Sequence, residues 1–185
     1  MAKIGLNNFR YGILTEAEDG TATYGGAKTP GKAISCNVEV ETNDSSLYGD
    51  DMLIESDKTF NKVTVTIGID EDDDETMAEL LGHTYAEETG MVRNADDMAP
   101  YVGLGRVITK IVGGVRKYKV EFLNKVKFGE PSQENTTKGE NVEFGTTELE
   151  GTGSALANGE WSKTKTFATK DEAVAYLEEL LTKKA

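Results

Sequence analysis

Residues 101–128 read YVGLGRVITKIVGGVRKYKVEFLNKVKF, two runs in which apolar and polar residues alternate around Gly113-Gly114. Alternation of period two marks a strand with one face in a core and the other in water. A Gly-Gly pair between two such runs suits a tight hairpin, because both positions accept positive φ. The spacing predicts strands over Tyr101–Val112 and Val115–Phe128. The second buries Tyr118, Val120, Phe122, Val126 and Phe128 together, while Lys117, Lys119, Glu121, Lys125 and Lys127 face the other way.

The same period recurs on both sides of this hairpin. Over 33–41, Ile34, Cys36, Val38 and Val40 oppose Ser35, Asn37, Glu39 and Glu41; over 62–70, Val63, Val65, Ile67 and Ile69 oppose Thr64, Thr66, Gly68 and Asp70. Further strands are expected over 9–15, over 141–150 with Val142, Phe144 and Leu149, and over 161–167 after an Asn158-Gly159 turn. Two segments read as helices. The first, 75–81, has Met77, Leu80 and Leu81 at helical spacing, acidic residues in its first turn and Gly82 as its stop. The second, 170–181, opens on a Thr169-x-x-Glu172 capping box and carries Ala173, Leu177, Leu180 and Leu181 as a stripe. The fold class is therefore mainly β with two short helices (α+β), a single domain over 1–185 that ends in the second helix.

Composition narrows the function. The 185 residues hold 33 Asp and Glu against 20 Lys and Arg, a formal charge of −13. Sequence-independent DNA binding needs clustered cations that release counterions, so this charge argues against a DNA-gripping protein and a peripheral membrane binder alike. Cys36 is the only cysteine, which excludes a disulfide scaffold and suits a reducing cytosol. The first eleven residues lack the apolar core of a signal peptide, and no stretch approaches the ~18 apolar residues of a membrane span. The sequons at Asn43 and Asn135 are accordingly read as chance matches.

Two connections exceed simple turns. Residues 42–60 join two strong strands and carry Leu47, Tyr48, Met52, Leu53 and Ile54 among acidic neighbours. Long loops in compact domains are functional or disordered, and this apolar content argues against plain disorder. The segment is expected to be an extended arm buried against another subunit, ahead of a self-packed Ω-loop. The second connection, 129–140, is polar and is expected to be an exposed loop.

No catalytic or ligand-binding constellation emerges, and no cofactor is expected. His83 is the only histidine; without a second histidine or a cysteine cluster a structural zinc site has no ligand set, and no serine sits in a Gly-x-Ser-x-Gly elbow. His83 is therefore read as a helix-end residue without catalytic duty, and a hydrolase built on it as a remote rival. The acidic run 70–75 begins like a calcium loop but has Glu75 where glycine is required and Leu81 where the bidentate glutamate belongs. It reads instead as an acidic helix start. Gly103-Leu104-Gly105 lacks the third glycine of a dinucleotide fingerprint and precedes no helix, so its glycines mark a bent strand closely approached by another backbone. The lysines and aromatics of 117–127 fall on opposite faces, which a base-stacking platform does not allow. Those cations are better suited to acidic patches of a neighbouring copy.

Several long blocks carry a more specific likeness. MAKIGLNNFRYGILT (1–15), the 28–36 segment, GIDEDDDETMAELLGH (68–83), MVRNADDMAPYVGLGRVI (91–108) and KYKVEFLNKVKFGEPSQEN (117–135) resemble the major tail proteins of long-tailed, non-contractile phages and prophages of Gram-positive bacteria. The resemblance implies a structural virion protein of the tail, assembled in the host cytoplasm, and no enzyme. Its fold would be a β-sandwich or barrel-like tail-tube fold with a long inter-strand loop and a C-terminal helix, whose subunits form stacked hexameric rings around a tape-measure protein, ended by tail-terminator and distal tail proteins. DNA would pass through the lumen without specific binding. In that setting the long inter-strand loop 42–60 reaches the next ring through Leu47, Tyr48, Met52, Leu53 and Ile54. Ser35, Asn37, Glu39, Glu41, Thr64 and Thr66 are the expected lumen-facing residues, and the lysine face of Val115–Phe128 is the poorer candidate. A β-sandwich adhesion or decoration module of a virion is the alternative.

Overall fold

The computed structural model describes residues 2–49, 52–70, 73–132 and 147–182. In chain order the elements are β1 (Ala2–Glu16), β2 (Ala22–Tyr24), β3 (Ala33–Gly49), β4 (Met52–Ile69), α1 (Asp74–Leu81), β5 (Thr84–Ala86), β6 (Gly90–Val92), β7 (Tyr101–Val112), β8 (Val115–Phe128), β9 (Thr147–Gly153), β10 (Ser162–Phe167) and α2 (Lys170–Thr182). The chain is mainly β with two helices, and every strand pair among the described residues is antiparallel. The expected strand at 141–150 falls largely outside the described residues; β9 covers its end and runs on to Gly153. Most of the expected 129–140 loop lies outside them as well.

The large sheet runs β2-β1-β7-β8-β9-β4-β3, and β10 adds to β8. One edge of β8 serves two neighbours: 118–123 pair with β10, and 126–128 pair with β9. The sheet therefore splits at β8 and curls. Arg106 on β7 reaches Cys36 on β3, with Nη1 donating to the Cys36 carbonyl at 3.4 Å, although three strands separate them in the sheet order. Between the two halves lies the main core, which includes Phe9, Val65, Ile67, Leu104, Val126, Phe128 and Leu149, and α1 closes it with Met77, Leu80 and Leu81.

The β7–β8 turn follows the sequence directly. Gly113 and Gly114 have φ of 59° and 81°, and Val112 pairs with Val115 across them. The expected single apolar face of β8 is corrected, however. Tyr118, Val120 and Phe122 pack with Ala173, Leu177 and Leu181 of α2, whereas Leu123, Val126 and Phe128 enter the main core. The ladder to β7 shifts register between Val102 and Leu104. One extra residue in a strand turns every later side chain to the opposite face. Lys119 and Glu121 are consequently inside the curl with Arg106, and Lys125 and Lys127 are outside over the Tyr101 ring.

The paired glycines of β7 have a different cause from the one expected. Gly103 and Gly105 face the α2 side, where an added Cβ would overlap Tyr24 and Phe122 at the first and Leu177 at the second. Side chains, not a neighbouring backbone, demand the missing Cβ. The α2 start is as predicted, with Thr169 and Glu172 of the capping box bonding each other's backbone N–H; α1 starts one residue earlier than expected, at Asp74, and Asp73 caps it by accepting from Thr76 N at 3.1 Å.

Candidate functional site

The six residues expected to line a lumen share one face of the β3–β4–β9 sheet. Asn37 stands opposite Thr66, Glu39 opposite Thr64, Ser35 opposite Gly68 and Glu41 opposite Lys62. Ser35, Asn37 and Glu39 are exposed, and Glu41, Thr64 and Thr66 are half-buried. Behind them Val63, Val65, Ile67 and Ile69 are fully buried, so alternation fixes which way the polar side points.

β9 extends this face by a strand that sequence reasoning placed nearby but did not join to it. Glu150 pairs with Thr66, Thr152 with Thr64 and Glu148 with Gly68. Rows such as Asn37–Thr66–Glu150 and Glu39–Thr64–Thr152 cross the strands. The local signal was present in Glu148-Leu149-Glu150, where a buried Leu149 separates two exposed carboxylates. The face carries Glu39, Glu41, Glu148 and Glu150, and its cation Lys62 is paired with Glu41 at 3.3 Å. Thr64 Oγ1 also donates to Glu41 at 3.4 Å. Lys127 of β8 pairs with Thr152 and continues the Glu39–Thr64–Thr152 row, so a phosphate on the β3–β4–β9 part of this surface meets carboxylates, amides, hydroxyls and the paired Lys62, with Lys127 at its border.

The expected loop 42–60 is corrected by the register. β3 and β4 stay paired from Thr42↔Phe60 through Asp44↔Lys58 and Leu47↔Glu55 to Gly49↔Met52, so the arm is a continuous two-stranded ribbon. Tyr48 pairs with Leu53, and the ladder shifts by one residue beside Ile54. The expectation of an extended arm thus keeps its position and changes its backbone. A second shift, between Glu41 and Thr42, turns Phe60 inward, where it stacks on Trp161 with ring centroids 4.8 Å apart. Beyond that ring pair the ribbon leaves the body: residues 43–46 and 56–59 are all exposed. Asp44 and Lys58 pair across it at 3.0 Å.

Inside the curl, sequence reasoning missed an ion cluster. Arg106 Nη2 bonds Glu121 at 2.7 Å, Lys119 bonds the other Glu121 oxygen, and Arg106 Nη1 lies 2.7 Å from Cys36 Sγ. Burial alone would raise the Glu121 carboxyl, and the bonds from Lys119 and Arg106 reverse this and hold it below its usual range. Burial pushes the Cys36 thiol up, against the opposing pull of Arg106. These groups border a cavity of about 310 Å³ with Phe9, Val38, Leu104 and Trp161. Arg106 is the hidden signal, an arginine between the inward positions of Leu104 and Ile108.

His83 follows the α1 stop at Gly82 and is not a simple solvated helix end. Its imidazole is 5% exposed, with Nδ1 2.8 Å from Asp97 and Nε2 2.6 Å from Glu130. The acidic run is a helix start as read: Asp73 is the cap, and Asp70 accepts from Lys32 N at 2.8 Å. Among the described residues no group of three or more His, Cys, Asp or Glu side chains is arranged to hold a metal ion, and no helix is long and apolar enough to cross a membrane. Compared with known proteins, the chain matches no family model and no curated sequence.

Proposed function

We propose that the chain is a structural subunit of a phage tail tube, which stacks as hexameric rings around a tape-measure protein and later conducts DNA. The observation that carries this reading is the ribbon formed by the outer halves of β3 and β4. A two-stranded hairpin alone is marginally stable in water, and the seven residues of β3 beyond Thr42 extend roughly 23 Å. Residues 43–46 and 56–59 of this outer stretch are all exposed, so none of them is covered by its own chain. Such a ribbon is suited to a site on a neighbouring copy. In a stack of rings that site lies on the next ring, and Leu47, Tyr48, Met52, Leu53 and Ile54 near the ribbon's end supply the apolar contact.

The polar face of β3, β4 and β9 supports the second half of the proposal. Turned to a lumen, the face of Ser35, Asn37, Glu39, Glu41, Thr64 and Thr66, joined by Glu148, Glu150 and Thr152, would repel phosphate through its four glutamates, and the β3 and β4 cations Lys58 and Lys62 are both paired with carboxylates. Counterion release then gives passing DNA nothing to bind. The mechanism is passive conduction. β3 is also an edge strand of the sheet, and ring closure covers an edge that otherwise invites uncontrolled pairing.

The test removes the ribbon without touching the core. Replacing residues 43–59 by an Asn-Gly turn should leave the unfolding midpoint of the domain within a few degrees of the parent and abolish tubes in negative-stain micrographs. Normal tubes from the shortened chain overturn the stacking role. A parent chain that stays monomeric at every concentration overturns the tube reading and favours an adhesion or decoration module.

A further inference from the structure

The surroundings of His83 hold a feature that tube building does not use. A neutral imidazole carries one N–H, so it can donate to one carboxylate only. Here both ring nitrogens face carboxylate oxygens, at 2.8 Å for Asp97 and 2.6 Å for Glu130, on an almost fully buried side chain. Both bonds exist together only when the ring is protonated. The two carboxylates come from different places: Asp97 from the turn before β7, and Glu130 from the chain leaving β8. The imidazolium therefore ties three segments at the end of α1.

The partners are unequally held. Asp97 is 15% exposed and also accepts the Asn94 backbone N–H at 2.8 Å. Glu130 is 57% exposed, and its second oxygen meets Arg93 only at 3.7 Å. The other charged and titratable groups bordering the same cleft are Tyr11, Lys28, Glu75, Glu79 and Tyr85. Glu79 is already engaged by the Tyr11 hydroxyl at 2.7 Å and by Lys28, so it does not compete for the ring.

We propose that His83 is a pH-sensitive latch: protonated, it fastens Glu130 and the chain leaving β8 to the end of α1; deprotonated, it keeps Asp97 and releases Glu130. Loss of the proton leaves one N–H, which stays with the better-held Asp97, and sets a nitrogen lone pair against the Glu130 carboxylate. Charge supports the same direction. The hydrogen bond to Asp97 raises the His83 pKa most, burial opposes it, and the bond to Glu130 raises it further. A folded pKa above the unfolded value makes this contribution complete below the ordinary histidine range near ~6.5. It is lost as pH rises through the raised folded value.

His83 is the sole histidine, so hydrogen–deuterium exchange at its C2 carbon, read by mass spectrometry on the full chain, reports one midpoint. That midpoint should lie above the value of an unstructured histidine peptide. Pro131 has no N–H, Gly129 N–H is held by the Glu150 carbonyl at 2.9 Å and Ser132 bridges to Glu148, so the Glu130 N–H carries the signal of 129–132. Its exchange, corrected for the intrinsic effect of pH, should rise roughly three- to tenfold through the same midpoint, the scale of one lost charged bond at a half-exposed partner. Asp97→Asn should lower the midpoint more than Glu130→Gln. His83→Gln should make exchange at 129–132 independent of pH. A parent midpoint at or below the peptide value, or exchange at 129–132 that ignores the midpoint, overturns the latch. The parent chain alone decides this, even where a variant fails to fold.

Discussion

The inner and outer halves of the β3–β4 hairpin share one ladder and have opposite surroundings. In the inner half Val63, Val65, Ile67 and Ile69 are buried under the curled sheet, and β9 pairs with β4 along the far edge. In the outer half, residues 43–46 and 56–59 face solvent, and among the described residues no third strand joins. Backbone pairing continues through both, so pairing is not what distinguishes them. The inner half is held by apolar burial, about 1.5 to 3 kcal/mol for each large aliphatic side chain. The described side chains of the outer half, 43–46 and 56–59, have no comparable burial within their own chain, and in the proposed assembly their order would come from what they touch.

The largest effect that tests this contrast lies in the inner half. Ile67→Ala removes a fully buried side chain from the centre of β4 and should cost roughly 3 kcal/mol in urea unfolding, within the usual range for aliphatic truncation in a core. Loss of the whole outer half should cost far less. A cost below ~1 kcal/mol for Ile67→Ala would show that the inner half, too, depends on contacts between copies.

A smaller effect on stability, with a larger one on function, is expected on the polar face. Glu39 is exposed, and Glu41 is half-exposed beside Lys62. Converting both to lysine should change stability by no more than ~1 kcal/mol, since exposed charges contribute little. The same change puts cations where DNA is proposed to pass, and in the proposed hexameric ring six copies would repeat it. Genome ejection from phage carrying this variant should slow, and slow more at low salt. Unchanged ejection kinetics would remove these two residues from the lumen.

What the sequence disclosed follows from where burial writes a period. Tyr101–Val112 and Val115–Phe128 alternate around two glycines, and Thr169 and Glu172 name their own helix start, so these elements were legible to their ends. That these six polar residues share one face was legible from Val63, Val65 and Ile67, which are buried and alternate with Thr64 and Thr66; on β3 the apolar neighbours are less covered, and Ile34 and Val40 are exposed. The outer ribbon was not legible. Asn43-Asp44-Ser45-Ser46 and Ser56-Asp57-Lys58-Thr59 are polar on both faces, and a ladder of backbone bonds leaves no side-chain signature. The exchange of faces along β8 was hidden as well, since a one-residue shift near Asn124 alters direction without altering composition. Partnerships distant in sequence, such as β9 with β4 or Arg106 with Cys36, depend on how the sheet curls and are not encoded in local spacing.

The smallest expected effect is the most direct check on the outer half. Lys58 and Asp44 pair at 3.0 Å with side chains 65% and 51% exposed. Exposed ion pairs contribute about 0 to 1 kcal/mol, and the entropy of two long side chains offsets much of the attraction. Lys58→Ala should therefore leave urea unfolding of the isolated domain unchanged within ~0.5 kcal/mol. Its effect on assembly should depend on salt, because a pair at an interface between copies is screened in the same way as the encounter that forms it. A clear loss of domain stability in the isolated chain would mean that the ribbon folds back on its own body. The difference between the two halves of the hairpin would then be one of degree, and the ribbon would no longer require a neighbour.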